Sequence, residues 1–145
     1  MKAIDVSFLE RCTATLSNAL ELLQVSQAGS VSSDMYRSAC IKEFEIIIEQ
    51  SGKLLRKALK PYFASSQAVD RLTFKDVFRH AVLRSIITAD ECERWLQYRD
   101  SRNDTAHEYG ADFAEKTLDL LPQLIGDAAR LVAAIRQQNH NNELC

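Results

Sequence analysis

Ala114, Leu118, Leu121, Ile125, Ala128, Val132 and Ile135 recur at alternating intervals of four and three residues. That spacing keeps an apolar seam on one side of an α-helix, and a strand with its two-residue alternation cannot bury it. Pro122 removes one backbone donor within the pattern and predicts a kink there. A helix this long cannot bury its seam alone, so the rest of the chain must supply helical partners.

Partners are legible upstream. After Asp5, a candidate N-cap, the residues Phe8, Leu9, Cys12, Leu16, Ala19, Leu20 and Leu23 mark a first helix ending near Val25. A polar connector from Ser26 to Ser30 follows, and Ser32, Ser33 or Asp34 can cap a second helix. That helix runs to about Lys60, where Pro61 stops it, with Ile41, Phe44, Ile48, Leu55 and Leu59 as its buried stripe. Lys42, Glu45, Glu49, Lys53 and Lys57 then read as a solvated face, with Glu49 to Lys53 the favourable pair. Thr73 to Asp76 resembles a capping box opening a third, shorter helix through Val77, Phe78, Ala81, Val82 and Ile86. His80 on that helix reads as structural. Thr88 or Asp90 caps a fourth helix bearing Cys92, Trp95, Leu96 and Arg99, with Trp95 as a core anchor whose indole N–H needs a partner.

Only four glycines and two prolines occur in 145 residues, which disfavours a turn-rich β-fold. The expectation is an all-α, up-and-down bundle of four to five antiparallel helices. One domain over residues 1–138 and a polar, fraying C-terminal tail over 139–145 account for the length. No stretch approaches the ~20 apolar residues of a membrane span, and the first residues lack a signal-peptide pattern, so no membrane partner and a cytoplasmic location are expected. Cys12, Cys40, Cys92 and Cys145 show no metal-ligand spacing and read as reduced, mostly packed thiols. No cofactor or metal is expected. A net charge of −2 implies that any RNA contact is small and local. The chain has neither a glycine-rich phosphate loop nor a paired-aspartate pattern, which makes it a poor candidate for a nucleotidyltransferase itself.

Chemistry concentrates in one segment, Tyr98 to Gly110, where arginine, amide, carboxylate, imidazole and phenol crowd together. On an unbroken helix Arg102 and His107 point about 140° apart, so a helix ending or a second chain is needed to bring them to one atom. Thr105 and Gly110 favour an ending. An imidazole can exchange a proton with a ribose 2′-hydroxyl or a leaving oxygen, and a guanidinium can hold two phosphate oxygens as negative charge builds. The plainer alternative pairs Arg102 with Asp104 or Asp100 and leaves His107 capping a helix carbonyl.

Arg102, four residues, His107, one residue and Tyr109 form R-x4-H-x-Y, with Asn103 after the arginine. This resembles the HEPN family, in particular its branch of nucleotidyltransferase substrate-binding proteins, which includes the HepT toxins. The likeness extends through Lys42 to Glu49, Phe74 to Ala81, and Trp95-Leu96, over roughly residues 5 to 137. The resemblance implies a homodimer in which two such motifs meet at the two-fold interface and form a metal-independent ribonuclease site. It implies Arg102 as the group that steadies the phosphorane, His107 as acid or base, and Asn103 as the residue that orients phosphate or imidazole. It also implies a toxin acting on RNA and not on DNA, neutralised by a minimal nucleotidyltransferase antitoxin encoded nearby that attaches AMP to Tyr109. The alternative that the branch offers is a non-catalytic subunit presenting a nucleotide or other substrate to that partner.

Overall fold

The computed structural model describes residues 2–105 and 111–144. Among them every regular element is helical: α1 (Ser7–Val25), α2 (Val31–Leu59), a 3-10 turn (Lys60–Tyr62), α3 (Ser66–Asp70), α4 (Phe74–Leu83), α5 (Ala89–Thr105) and α6 (Ala111–Glu143). The all-α bundle expected from the sequence is what is found. Side-chain pairings give the directions. Arg136 of α6 reaches Glu10 near the start of α1, so these two run antiparallel. Arg37 lies 3.9 Å from Glu115, and Gln138 donates to the Ala58 carbonyl at 2.9 Å, so α2 and α6 share a direction. α5 opposes α6, with Glu91 beside Arg130 and Tyr98 beside Asp127.

Helix starts follow the chemistry of their caps. Ser30 accepts from the Ser33 amide at 3.1 Å, slightly earlier in the chain than the sequence suggests, because a hydroxyl on extended backbone can reach forward to the first free N–H groups. Thr73 accepts from the Asp76 amide at 3.2 Å. Thr88 and Glu91 form a reciprocal box, each accepting from the other's amide at 3.1 Å. α1 departs from this: its cap position is Val6, without a side-chain bond. Asp5, read from the sequence as the cap, stands one residue earlier and accepts from the Ser7 amide and hydroxyl at 2.9 and 2.6 Å, which holds its carboxyl below the ordinary range.

The core comprises Leu9, Leu16, Phe44, Ile47, Ile48, Leu55, Leu59, Phe78, Trp95 and Tyr98, closed by α6. On α6 the fully buried seam is Leu121, Leu124, Ala128, Leu131 and Ile135. Leu118 and Ile125, assigned to the seam from spacing, are half-buried. The 4-3 rhythm is right, and the seam is rotated by part of a turn because α6 packs against α1, α2 and α5 together. Phe8, counted with the first apolar stripe, is 50% exposed. Trp95 is the expected core anchor, but its indole nitrogen finds no hydrogen-bond partner among the described residues.

The residues read from the sequence as a polar tail, 139–145, are described as far as Leu144. α6 continues to Glu143, and Asn139 clasps the other end of the chain: its Oδ1 accepts from the Ile4 amide and its Nδ2 donates to the Ile4 carbonyl, both at 2.9 Å. Two amide hydrogen bonds give these polar residues a use that composition does not reveal. α3, five residues long, has no counterpart in the sequence reading, since one turn carries no periodicity.

α4 ends in a paired-hydrogen-bond cap. The Ile86 amide donates to the Ala81 carbonyl at 2.9 Å and the Ser85 amide to the Val82 carbonyl at 3.0 Å. The cap needs left-handed backbone at Ser85, whose φ is 58°. Serine carries a steric cost there that glycine avoids. Ser85→Gly is therefore expected to raise stability by about 0.5–1 kcal/mol, read as a higher urea midpoint with unchanged slope.

Cys12, Cys40 and Cys92 are free and buried. Burial, with the Glu43 carboxylate beside it, pushes the Cys12 thiol up to about 11, against 9.0 in a free chain. Burial also raises Cys40 and Cys92. Because the folded value lies above the unfolded one, the stabilisation is complete below pH 9.0 and is lost as pH rises through 11. The urea midpoint is expected to fall over that window by the equivalent of about 2 kcal/mol, and by clearly less in Cys12→Ala. A thiol reagent at neutral pH should modify these three cysteines only on unfolding.

Candidate functional site

Arg102 stands in the last turn of α5 as described, half-buried, and Asn103 beside it is exposed. His107 and Tyr109 lie outside the described residues.

What places Arg102 is an aromatic ladder ending beneath it. Tyr98 and Trp95 of α5 meet edge to face at 5.4 Å, Trp95 meets Phe78 of α4 at 5.5 Å, and Phe78 meets Phe74 at 4.5 Å between centroids. The Arg99 guanidinium then lies 4.6 Å above the Phe74 ring, a cation–π contact one turn before Arg102. Phe74 fits against α2 because position 52 is glycine. A Cβ there would stand 3.3 Å from the ring, so Gly52 is a seat for the aromatic side chain rather than a flexible point.

At the other end of the ladder is a network that spacing alone did not reveal. Asp127 of α6 is fully buried and takes four hydrogen bonds. Arg94 grips it with two, at 2.9 and 2.8 Å, the Tyr98 hydroxyl donates at 2.5 Å, and Arg130 donates at 2.5 Å. Burial alone would raise the Asp127 carboxyl, yet the bonds from Arg94, Tyr98 and Arg130 together hold it below the ordinary range. Burial and the same carboxylate push the Tyr98 phenol well upward. The network fixes α5 against α6 at Arg94 and Tyr98, directly before the turn that bears Arg99 and Arg102. The sequence signal was a carboxylate inside the apolar run Leu124-Ile125-Gly126-Asp127-Ala128 with Arg94 and Tyr98 four apart on another helix.

Arg102 and Arg99 line a cleft of about 260 Å³ with Lys53 and Arg56 of α2, above Phe74. Glu49 is the one carboxylate on its wall among the described residues and lies 3.2 Å from Lys53. Arg56 is braced by a bond to the Val69 carbonyl at 2.9 Å. Among the described lining residues four cations accompany one carboxylate, in a chain whose net charge is −2. Such a site suits an anion with several oxygens. Lys53, read from the sequence as part of a solvated face, belongs to this wall. Arg56 lies more than forty residues before the motif, and nothing in its own neighbourhood hints at proximity; α2 reaches the site by packing on α4 and α5, with Phe74 seated on Gly52. Phe63 packs edge to face on His80 at 5.1 Å, consistent with the structural role read for that histidine.

The fold resembles that of a Haemophilus influenzae protein whose structure is described as the fold of a substrate binding domain of a nucleotidyltransferase, with a TM-score of 0.77 at 20% identity over 91% of this chain and 99% of that one. A Thermus thermophilus crystal structure matches with a TM-score of 0.69 at 24% identity over 88% and 98% of the two chains. In sequence, a Haemophilus influenzae protein named probable ribonuclease HepT is 26% identical over 110 residues, 76% of this chain and 74% of that protein. The family model of nucleotidyltransferase substrate binding protein like chains matches residues 5–137, a span that takes in the aromatic ladder, the Asp127 network and the R-x4-H-x-Y motif alike. With fold, motif and family model in agreement over nearly its whole length, the chain belongs to the nucleotidyltransferase substrate binding protein like family, within the HEPN-like group.

Proposed function

We propose that the chain is the toxin half of a two-component system: a homodimeric, metal-independent endoribonuclease neutralised by a minimal nucleotidyltransferase that attaches AMP to Tyr109. The observation that carries this reading is the cationic cleft at Arg102 in an otherwise slightly acidic protein. It is supported by the match to a protein named probable ribonuclease HepT.

In the reaction His107 takes the proton from a ribose 2′-hydroxyl, and the freed oxygen attacks the adjacent phosphorus. The bond from phosphorus to the 5′-oxygen breaks, and that oxygen takes up a proton, from the twin subunit's imidazole or from water. The products are a 2′,3′-cyclic phosphate and a 5′-hydroxyl. Arg102 holds the charge that builds on the phosphoryl oxygens, and Asn103 orients them. An AMP group on Tyr109, two residues from His107, would set a phosphate in competition with RNA for Arg102.

The family description also favours a second reading, a non-catalytic subunit that presents substrate to the nucleotidyltransferase. Purified protein in a metal chelator is expected to cut single-stranded RNA to cyclic-phosphate ends and to leave DNA of the same sequence intact. RNA that stays whole, together with tighter nucleotide binding by the partner, would establish the second reading instead. Coexpression with the partner is expected to add the mass of AMP at Tyr109, and an unmodified peptide would remove that part of the proposal.

A further inference from the structure

A second cleft opens where the first turn, the end of α2 and the end of α6 meet. Lys2, Lys57 and Lys60 line it, with the Gln138 and Asn142 amides and the Asp5 carboxylate, in a volume of about 710 Å³. Asp5 is committed to its own turn through Ser7, so the lysines outnumber the anions that face them. This cleft shares no lining residue with the one at Arg102.

The two are nevertheless joined along α2. Lys53 lines the Arg102 cleft, and Lys57 and Lys60 line the second. Lys53 and Lys57 stand one turn apart on α2, and Lys60 opens the 3-10 turn that follows with its backbone still helical, so the three keep to one side over about 10 Å. All three are exposed. Lys53 already has Glu49 as a partner at 3.2 Å, whereas Lys57 and Lys60 face only the Asp5 carboxylate among the described residues of their cleft, so an anionic ligand along the row relieves their remaining repulsion.

We propose that this lysine row is a backbone track for single-stranded RNA: the scissile linkage sits at Arg102, and neighbouring phosphates run along Lys53 and Lys57 into the cleft at Lys60 and Lys2. The proposal rests on the ribonuclease reading and adds the form of its substrate. A single strand fits because its phosphates can follow one helix edge without a duplex groove. The contacts are to phosphate and carry no base readout, so the track sets affinity and register, not sequence.

The test is binding, which does not require cleavage. A labelled single-stranded RNA of about eight nucleotides is titrated by fluorescence anisotropy against His107→Ala protein, alone and with Lys57→Glu and Lys60→Glu added. The double charge reversal is expected to weaken binding about tenfold or more, and to reduce the magnitude of the salt slope by about 1.4, two single-strand contacts at about 0.7 each. Lys57→Gln with Lys60→Gln should give a smaller loss in the same direction, and far-ultraviolet circular dichroism checks that both variants fold. A dinucleotide, too short to leave the Arg102 cleft, is expected to bind all variants alike. Equal octanucleotide affinity in wild-type and reversed-charge rows overturns the track. So does direct binding of free AMP that is lost in the Lys57 variants while octanucleotide affinity is unchanged in them, which would assign the second cleft to a mononucleotide. Absence of RNA cleavage by the wild-type protein would sink the ribonuclease reading and leave this binding result standing, so the two fail separately.

Discussion

Replacing Asp127 by alanine is expected to destabilise the protein by about 3–5 kcal/mol, the range for removing one partner of a buried ionic cluster. The carboxylate is fully buried, and its removal takes away the acceptor of the Tyr98 hydroxyl, which keeps only Gln123, and two bonds of Arg94, whose side chain is 30% exposed. Arg130, at 54% exposed, can turn to water and adds little. In a chain of 145 residues the loss corresponds to a melting temperature about 10 °C lower. Tyr98→Phe leaves the ion pairs intact and should cost only about 1–2 kcal/mol. The sign of the pH dependence follows from a carboxyl held below its ordinary value: its stabilisation is complete above about pH 3.9 and is lost as pH falls through the lower folded value. Urea midpoints measured down the acid limb should therefore drop more steeply in wild type than in Asp127→Asn. Parallel acid limbs, or a melting temperature unchanged in Asp127→Ala, would show that the network contributes nothing net.

His107→Ala and Arg102→Ala are each expected to lower RNA cleavage about 10²-fold or more, the scale on which a proton-transfer group or a transition-state cation acts. The two should differ in kind. Losing the imidazole should fall mainly on kcat and flatten the pH–rate profile near neutrality. Losing the guanidinium should lower kcat and also raise KM, since a phosphate contact is made in the ground state as well. Arg102→Lys keeps the charge but not the fork, and should recover only part of the loss. Cleavage that persists in both alanine variants would move the chemistry elsewhere.

The fold was legible because helical periodicity, capping residues and Pro61 all act locally. Thr73, Thr88 and the Glu49–Lys53 pair are where their neighbours in sequence put them. What sequence could not give is rotation and distance. A 4-3 rhythm fits several faces of α6, and only packing against three helices selects Leu124 and Leu131 over Leu118 and Ile125. Asp127 sat in an apolar run with nothing to announce that Arg94 and Tyr98 would meet it. At the candidate site Arg102 was found from its motif, whereas Lys53 and Arg56 join it through the packing of α2 on α4 and α5, with Phe74 seated on Gly52.

The double amide clasp between Ile4 and Asn139 makes the opening residues and the last turns of α6 a single mechanical unit. Trimming the chain after Gln138 would therefore loosen more than a terminal helix turn, because the segment leading back to Lys2 would lose its mooring as well. Lys2 and Asn142 line the same lysine-rich pocket, so an acidic peptide joined beside either one is expected to compete with polyanions there and mimic an inhibited protein.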